Sequence, residues 1–161
     1  MTWRDAGLEG PVEGFVDAAV ANQKEIFRNT FVELVGVHIE SAGPGHAVAT
    51  VEVGPHFLHP GGYAHGGAIA SLGDSVAAWA TFPALGEGET HTTIEFKANF
   101  FRSVQSGRLR AEANAMHKGR KTMVLDVRIT DDRNRLVAAM VVTQAIVPLA
   151  EGRPEQGAER P

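Results

Sequence analysis

The sequence predicts an α+β fold, in which an antiparallel sheet wraps around one central helix and a further helix precedes it. Three observations carry this reading. Long stretches alternate apolar and polar residues with a period of two. One Ala- and Gly-rich stretch, 66–82, interrupts them with no alternation at all. An early segment repeats apolar residues at helical spacing instead. With 161 residues, 43% of them apolar and 21% charged, the chain has length for one core and little for a second.

Residues 1–12 read as a flexible lead-in, 13–149 as a single domain, and AEGRPEQGAERP at 150–161 as a disordered tail. Phe15, Ala18, Ala19, Asn22, Ile26 and Phe27 fall on one side of an amphipathic helix over roughly 13–34, with room for breaks. Val37-His38-Ile39 suits one short strand. In HAVATVEV, Ala47, Ala49, Val51 and Val53 oppose His46, Val48, Thr50 and Glu52. The next such stretch, THTTIEFKANFF, sets Ile94, Phe96, Ala98 and Phe100 against Thr93, Glu95, Lys97 and Asn99. Met123, Leu125, Val127 and Ile129 form one face of KTMVLDVRIT, and RLRAEANAM and RLVAAMVVTQAIV behave alike. Such alternation belongs to an antiparallel sheet with one covered face. Residues 118–121 sit between two strands as a hairpin turn. The stretch 66–82 is apolar nearly all round and has no proline before Pro83, the pattern of a buried helix.

Composition excludes several functions. Net charge is −4 with no basic block, so nucleic acid is not an expected partner. No cysteine is present, which removes disulfides, thiolate zinc ligands and a thiol nucleophile, and suits a reducing cytosol. MTWRDAGLEG lacks the apolar core of a signal peptide, and Pro, Gly and His interrupt every uncharged stretch before it could span a membrane. A cytoplasmic protein is expected.

Within GGYAHGGAIASLGDSVAAWA at 61–80, Asp74 is the one charged residue. Burying an isolated carboxylate is costly unless something compensates it. A hydroxyl such as that of Ser71 or Ser75, or an Arg from elsewhere, would make Asp74 structural; otherwise it is a candidate base or nucleophile. Gly66 and Gly67 either permit a tight loop-to-helix junction or let a ligand approach the unpaired N–H groups of a helix start, which hold developing negative charge. His56, His59 and His65 also invite a metal reading. The loop holds no acidic residue and matches no standard zinc spacing, so no metal is expected.

HPGGYAHGGAIASLGDSVAAWA resembles the signature of hotdog-fold acyl-CoA thioesterases of the phenylacetate-degradation (PaaI-like) family. In that family an Asn-Pro-x-Gly-x-x-His-Gly-Gly loop precedes a helix bearing an acidic residue. His65, Gly66, Gly67 and Asp74 match at the right spacing, Pro60 and Gly62 fit the loop, and the resemblance spans about residues 31–147. One position departs: His59 stands where the family has Asn. The resemblance implies hydrolysis of an acyl-CoA thioester without a metal or redox cofactor, coenzyme A being part of the substrate. It casts Asp74 as base or nucleophile and the Gly66 N–H as the group that polarises the carbonyl. His59, His65 and Gly67 would place the substrate, and Thr93, close to Thr90 and Thr92, would assist the acid. Lys118, Arg120 and Lys121 become candidates to meet the phosphates of coenzyme A. Two rival readings stand beside it: a dehydratase or hydratase on acyl thioesters, whose loop His56-Phe57 resembles, and a module that binds acyl-CoA without cleaving it.

Spacing adds a constraint. Gly66 and Asp74 are eight residues apart, about 12 Å along one helix, whereas a catalytic group must come within about 3 Å of the reacting atom. Two antiparallel helices from two subunits would bring such groups together. The resemblance likewise implies a homodimer with a shared site, paired further into a dimer of dimers.

Overall fold

The computed structural model describes residues 14–149; the lead-in and tail expected at 1–12 and 150–161 lie outside the described residues. Three short helices, α1 (Phe15–Ala21), α2 (Gln23–Phe27) and α3 (Phe31–Val35), precede strands β1 (His38–Gly43) and β2 (His46–Glu52). A 3₁₀ turn at Pro55–Phe57 and a loop lead to α4 (Gly66–Thr81), and β3 (Glu89–Phe100), β4 (Arg108–Lys118), β5 (Thr122–Asp131) and β6 (Leu136–Pro148) follow. The six strands form one sheet in the order β1-β2-β4-β5-β6-β3, every pair antiparallel. α4 packs against all six. This is the architecture the sequence predicted.

Four details differ from the sequence reading. The single N-terminal helix is three pieces, broken at Asn22 and again at Asn29, whose φ of 59° is left-handed. In β2 every residue from Ala47 to Val51 is buried, so Val48 and Thr50 are covered as well as the expected face. α4 is not buried all round: Gly67, Ser71, Asp74, Ser75 and Ala78 form a stripe of small residues left partly open. The fourth difference matters most for the site. In β3, Thr93 pairs with Gln144 but Glu95 pairs with Thr143, so Ile94 is an extra residue, a β-bulge. Beyond it, Phe96, Ala98 and Phe100 pair with Val142, Met140 and Ala138. Since paired residues share a face and side chains alternate along β6, Thr93 shares the face of Phe96, Ala98 and Phe100, and the face expected for Ile94 is taken by Thr93.

The two sheet edges are treated differently. At β1, the buried Gln23 side chain acts as a substitute strand: its amide donates to the Ile39 carbonyl (2.9 Å) and accepts from the Ile39 N–H (2.7 Å). The outer edge of β3, twelve residues long, carries the exposed side chains of Ile94, Phe96 and Phe100, followed by exposed Phe101. These apolar side chains alternate with exposed Glu95, Lys97 and Asn99 along an edge whose backbone groups have no further strand among the described residues.

α4 lies close to the sheet because residue 73 has no side chain. A Cβ at Gly73 would come 2.2 Å from Met140 Sδ and 3.4 Å from Ile129 Cδ1, both in the buried core. Gly73→Ala is expected to overpack this contact and destabilise the fold by about 1–3 kcal/mol, despite the better helix propensity of Ala. Chemical denaturation of the two proteins checks it.

Candidate active site

The loop before α4 is held by backbone bonds at both ends. His59 N–H donates to Tyr63 O (2.8 Å), His65 N–H to Phe57 O (2.8 Å), and Ala64 N–H to Val104 O (2.7 Å). Within it, Pro60 follows His59 and the Gly62 N–H closes a turn onto His59 O (2.9 Å). The His59 ring completes that turn: Nδ1 accepts the Gly61 N–H at 2.9 Å. An Asn side chain makes the same local bond through its carbonyl oxygen. His59 therefore supplies the turn-forming acceptor of the residue it replaces, and a neutral ring then presents Nε2–H beyond the turn.

His65 uses the same atom for a different end. It is the N-cap of α4, extended at φ −69°, ψ 132°, with Nδ1 accepting the Gly67 N–H at 2.9 Å. A Cβ at Gly67 would meet His65 Nδ1 at 3.0 Å, a tight contact with the capping ring. Gly66 is another matter. A Cβ there would meet only the Phe100 ring, at an ordinary 3.5 Å, and its φ is not in the left-handed region. Its N–H, at the first helical position, has no hydrogen-bond partner among the described residues. Among the described residues nothing gives a steric reason for glycine at 66.

Asp74 is half-buried on the open stripe of α4, and Thr93 Oγ1 donates to its Oδ1 at 2.8 Å. Ser71 and Ser75, the two hydroxyls singled out as examples of a structural partner, turn instead to the helix backbone, donating to Gly67 O (2.8 Å) and Ser71 O (2.7 Å), and the hydroxyl that bonds Asp74 is that of Thr93. The β3 bulge is what selects Thr93 from the neighbouring threonines. Thr93 in turn accepts from Gln144 Nε2 (3.0 Å), and Gln144 Oε1 lies 3.2 Å from His91 Nδ1. Sequence reasoning missed Gln144 and His91. The one signal was an amide in an otherwise apolar inward row of β6, and its partner across β3 depended on the bulge.

Lys118, Arg120 and Lys121 do lie at a hairpin turn, which the Gly119 N–H closes onto Thr122 O (2.8 Å). Lys118 Nζ donates to the Ala84 carbonyl just beyond the C-terminal end of α4, while Arg120 and Lys121 are exposed. This cluster is therefore at the opposite end of α4 from Gly66. Beside the N-terminal end runs an open apolar groove of about 230 Å³, lined by Phe31, Leu34 and Val35 of α3, His56 and Phe57, and Gly67, Ala68 and Ser71.

A thioesterase superfamily model matches residues 61–138, from the glycine loop into β6. The 1,4-dihydroxy-2-naphthoyl-CoA hydrolase of Listeria monocytogenes is 32% identical over 114 residues, covering 71% of this chain and 93% of the hydrolase. The chain belongs to the thioesterase superfamily. The solved structure of a Haemophilus influenzae thioesterase superposes with a TM-score of 0.78 at 27% identity, over 84% of this chain and 94% of that one. A Streptococcus pneumoniae protein described as a hypothetical thioesterase, solved with coenzyme A, superposes with a TM-score of 0.65 at 27% identity, over 70% of this chain and 87% of that one. This thioesterase-superfamily chain is accordingly a thioester hydrolase with the hotdog fold.

The His59 turn gives a direct test. His59→Asn is expected to leave thermal stability unchanged, because the amide oxygen replaces Nδ1 as acceptor for the Gly61 N–H. His59→Ala loses that bond, about 1 kcal/mol, and should lower Tm by roughly 2–4 °C. Scanning calorimetry of the three proteins distinguishes them.

Proposed function

We propose that this thioesterase hydrolyses an acyl- or aryl-CoA thioester to the free acid and coenzyme A, at a site shared by two copies of the chain. The observation that carries the proposal is Gly66: a glycine with an unpaired N–H at a helix start, about 12 Å along the helix from the carboxylate it would work with. One copy's Gly66 N–H receives the thioester carbonyl oxygen, and the helix dipole adds to its pull. Asp74 of the second copy faces the same carbonyl carbon. As a base it takes a proton from water while the water oxygen attacks; as a nucleophile its own oxygen attacks and water releases the acid afterwards. In either route the C–S bond breaks as the tetrahedral centre collapses, and the sulfur leaves as thiolate and is protonated. Water is the only co-reactant.

The open stripe of α4 and the uncovered β3 edge support the pairing. Two copies joined along β3 would cover the apolar edge and set the small residues of the two central helices side by side, antiparallel. The basic hairpin of one copy then falls near the Gly66 end of the other. Arg120 and Lys121 meet the coenzyme A phosphates there, with Lys118 tying the hairpin to Ala84. His59 and His65 flank the thioester, and the acyl group occupies the groove of α3 and the α4 start.

Asp74→Asn should lower kcat at least about a hundredfold with the fold intact, read as thiol release from a panel of acyl-CoA substrates. An active, folded variant would overturn the assignment. Sharing is tested by mixing Asp74→Ala with Gly66→Pro. Proline suits the first helical position, and the extended backbone of His65 is what a residue before proline adopts. Each parent should be nearly inactive. Random exchange makes half the dimers hybrid, each with one intact site of two, so about a quarter of wild-type activity returns. With hybrids confirmed by mass spectrometry, no recovery means a site within one chain.

The groove has its own expected outcome. Phe31→Ala removes apolar wall, so KM for benzoyl- and hexanoyl-CoA should rise about tenfold, with acetyl-CoA affected less than about twofold. Equal changes for all three would separate the groove from the acyl group.

A further inference from the structure

Gln144 has no solvent exposure at all, yet it sits in a row on β6 whose other inward members, Ala138, Met140, Val142 and Ile146, are apolar. A buried primary amide is expensive unless its donors and its oxygen find partners. Here the partners form a line: His91 Nδ1 to Gln144 Oε1, Gln144 Nε2 to Thr93 Oγ1, and Thr93 Oγ1 to Asp74 Oδ1. The protons of these groups run in one direction only. An ionised carboxylate accepts and never donates, so the single hydroxyl proton of Thr93 goes to Asp74. Thr93 must then accept from its other neighbour, which turns the NH₂ side of Gln144 towards it. The amide oxygen is left facing His91, whose Nδ1 must carry a proton. Burial pushes the His91 imidazole below its ordinary range, outweighing the hydrogen bond to Gln144 and the charge of Asp74, which act upward. The ring is then neutral near pH 7, with its one proton on Nδ1.

We propose that His91 and Gln144 are positioning residues that commit the Thr93 hydroxyl to Asp74 Oδ1 and thereby leave Oδ2 to meet the water or the acyl carbon. Neither touches substrate; both act through Thr93. The proposal rests on the reading of Asp74 as the reacting carboxylate. Without the amide donor, the Thr93 hydroxyl is free to rotate away, and the carboxylate loses the bond that fixes its plane. Hydrogen bonds in such a line also polarise one another, so breaking the far end weakens the near one.

The test is a set of folded variants assayed for kcat and KM on one good acyl-CoA substrate, with Asp74→Asn alongside. Gln144→Met keeps the volume and removes the donor. Its kcat should fall about tenfold with KM within about twofold, and in a Thr93→Val background it should add almost nothing, because the two changes remove one line. At the half-buried His91, Asn keeps an N–H donor near the Nδ1 position, whereas Leu does not. His91→Asn should stay within about threefold of wild-type kcat and His91→Leu should match Gln144→Met. Should Gln144→Met fail to fold, the His91 pair decides alone. Equal losses in His91→Asn and His91→Leu, an unchanged kcat in Gln144→Met, or the same loss from Gln144→Met with and without Thr93 would each overturn the proposal. If Asp74→Asn is fully active, it is the reading of Asp74 that falls instead.

Discussion

The close contact between α4 and the sheet at Gly73 and Met140 is the constraint on which the site depends. Because residue 73 has no side chain, the helix axis comes near enough to β5 and β6 for Ile129 and Met140 to pack directly on its backbone. Asp74 is the next residue. Its carboxylate reaches Thr93 Oγ1 at 2.8 Å only because the helix lies that close and the β3 bulge turns Thr93 inward. A larger residue at 73 would push the helix from the sheet and lengthen this contact. The small residues of the open stripe follow the same logic on the other side of the helix, where close approach is left for something outside the chain.

The edges of the sheet divide its labour. β1 is closed from within by Gln23, an amide that imitates a strand, while the outer edge of β3 is long and has no strand partner among the described residues. The closed edge carries the short N-terminal helices and, through α3, one wall of the apolar groove. The open edge carries Thr93 and His91, so the residues that orient Asp74 belong to the strand where a second copy would add.

Two histidines in the loop do the same physical job through the same atom. His59 Nδ1 and His65 Nδ1 each accept a backbone N–H two residues ahead, one to shape a turn and one to begin a helix. At position 59 the ring makes the turn bond that an Asn side chain would make there. The Gly66 N–H, just before the capped Gly67 N–H, has no partner among the described residues.

Much of this was legible in the sequence because it is a matter of period and composition. Alternation marked the strands, its absence in 66–82 marked the central helix, and a lone carboxylate among alanines marked Asp74 as a residue needing an explanation. The spacing of Gly66 and Asp74 likewise set a distance that no tertiary detail alters, since helical rise is constant. Tertiary structure alone decided which threonine meets Asp74, because a one-residue bulge reverses the facing of a strand without changing its composition. It also decided that Ser71 and Ser75 turn to the backbone and that Gly67 serves a cap while Gly66 does not, for these depend on which atoms lie within about 3 Å. The amide of Gln144 was visible as a letter; that it joins His91 to Thr93 depended on two strands and a helix meeting at one point.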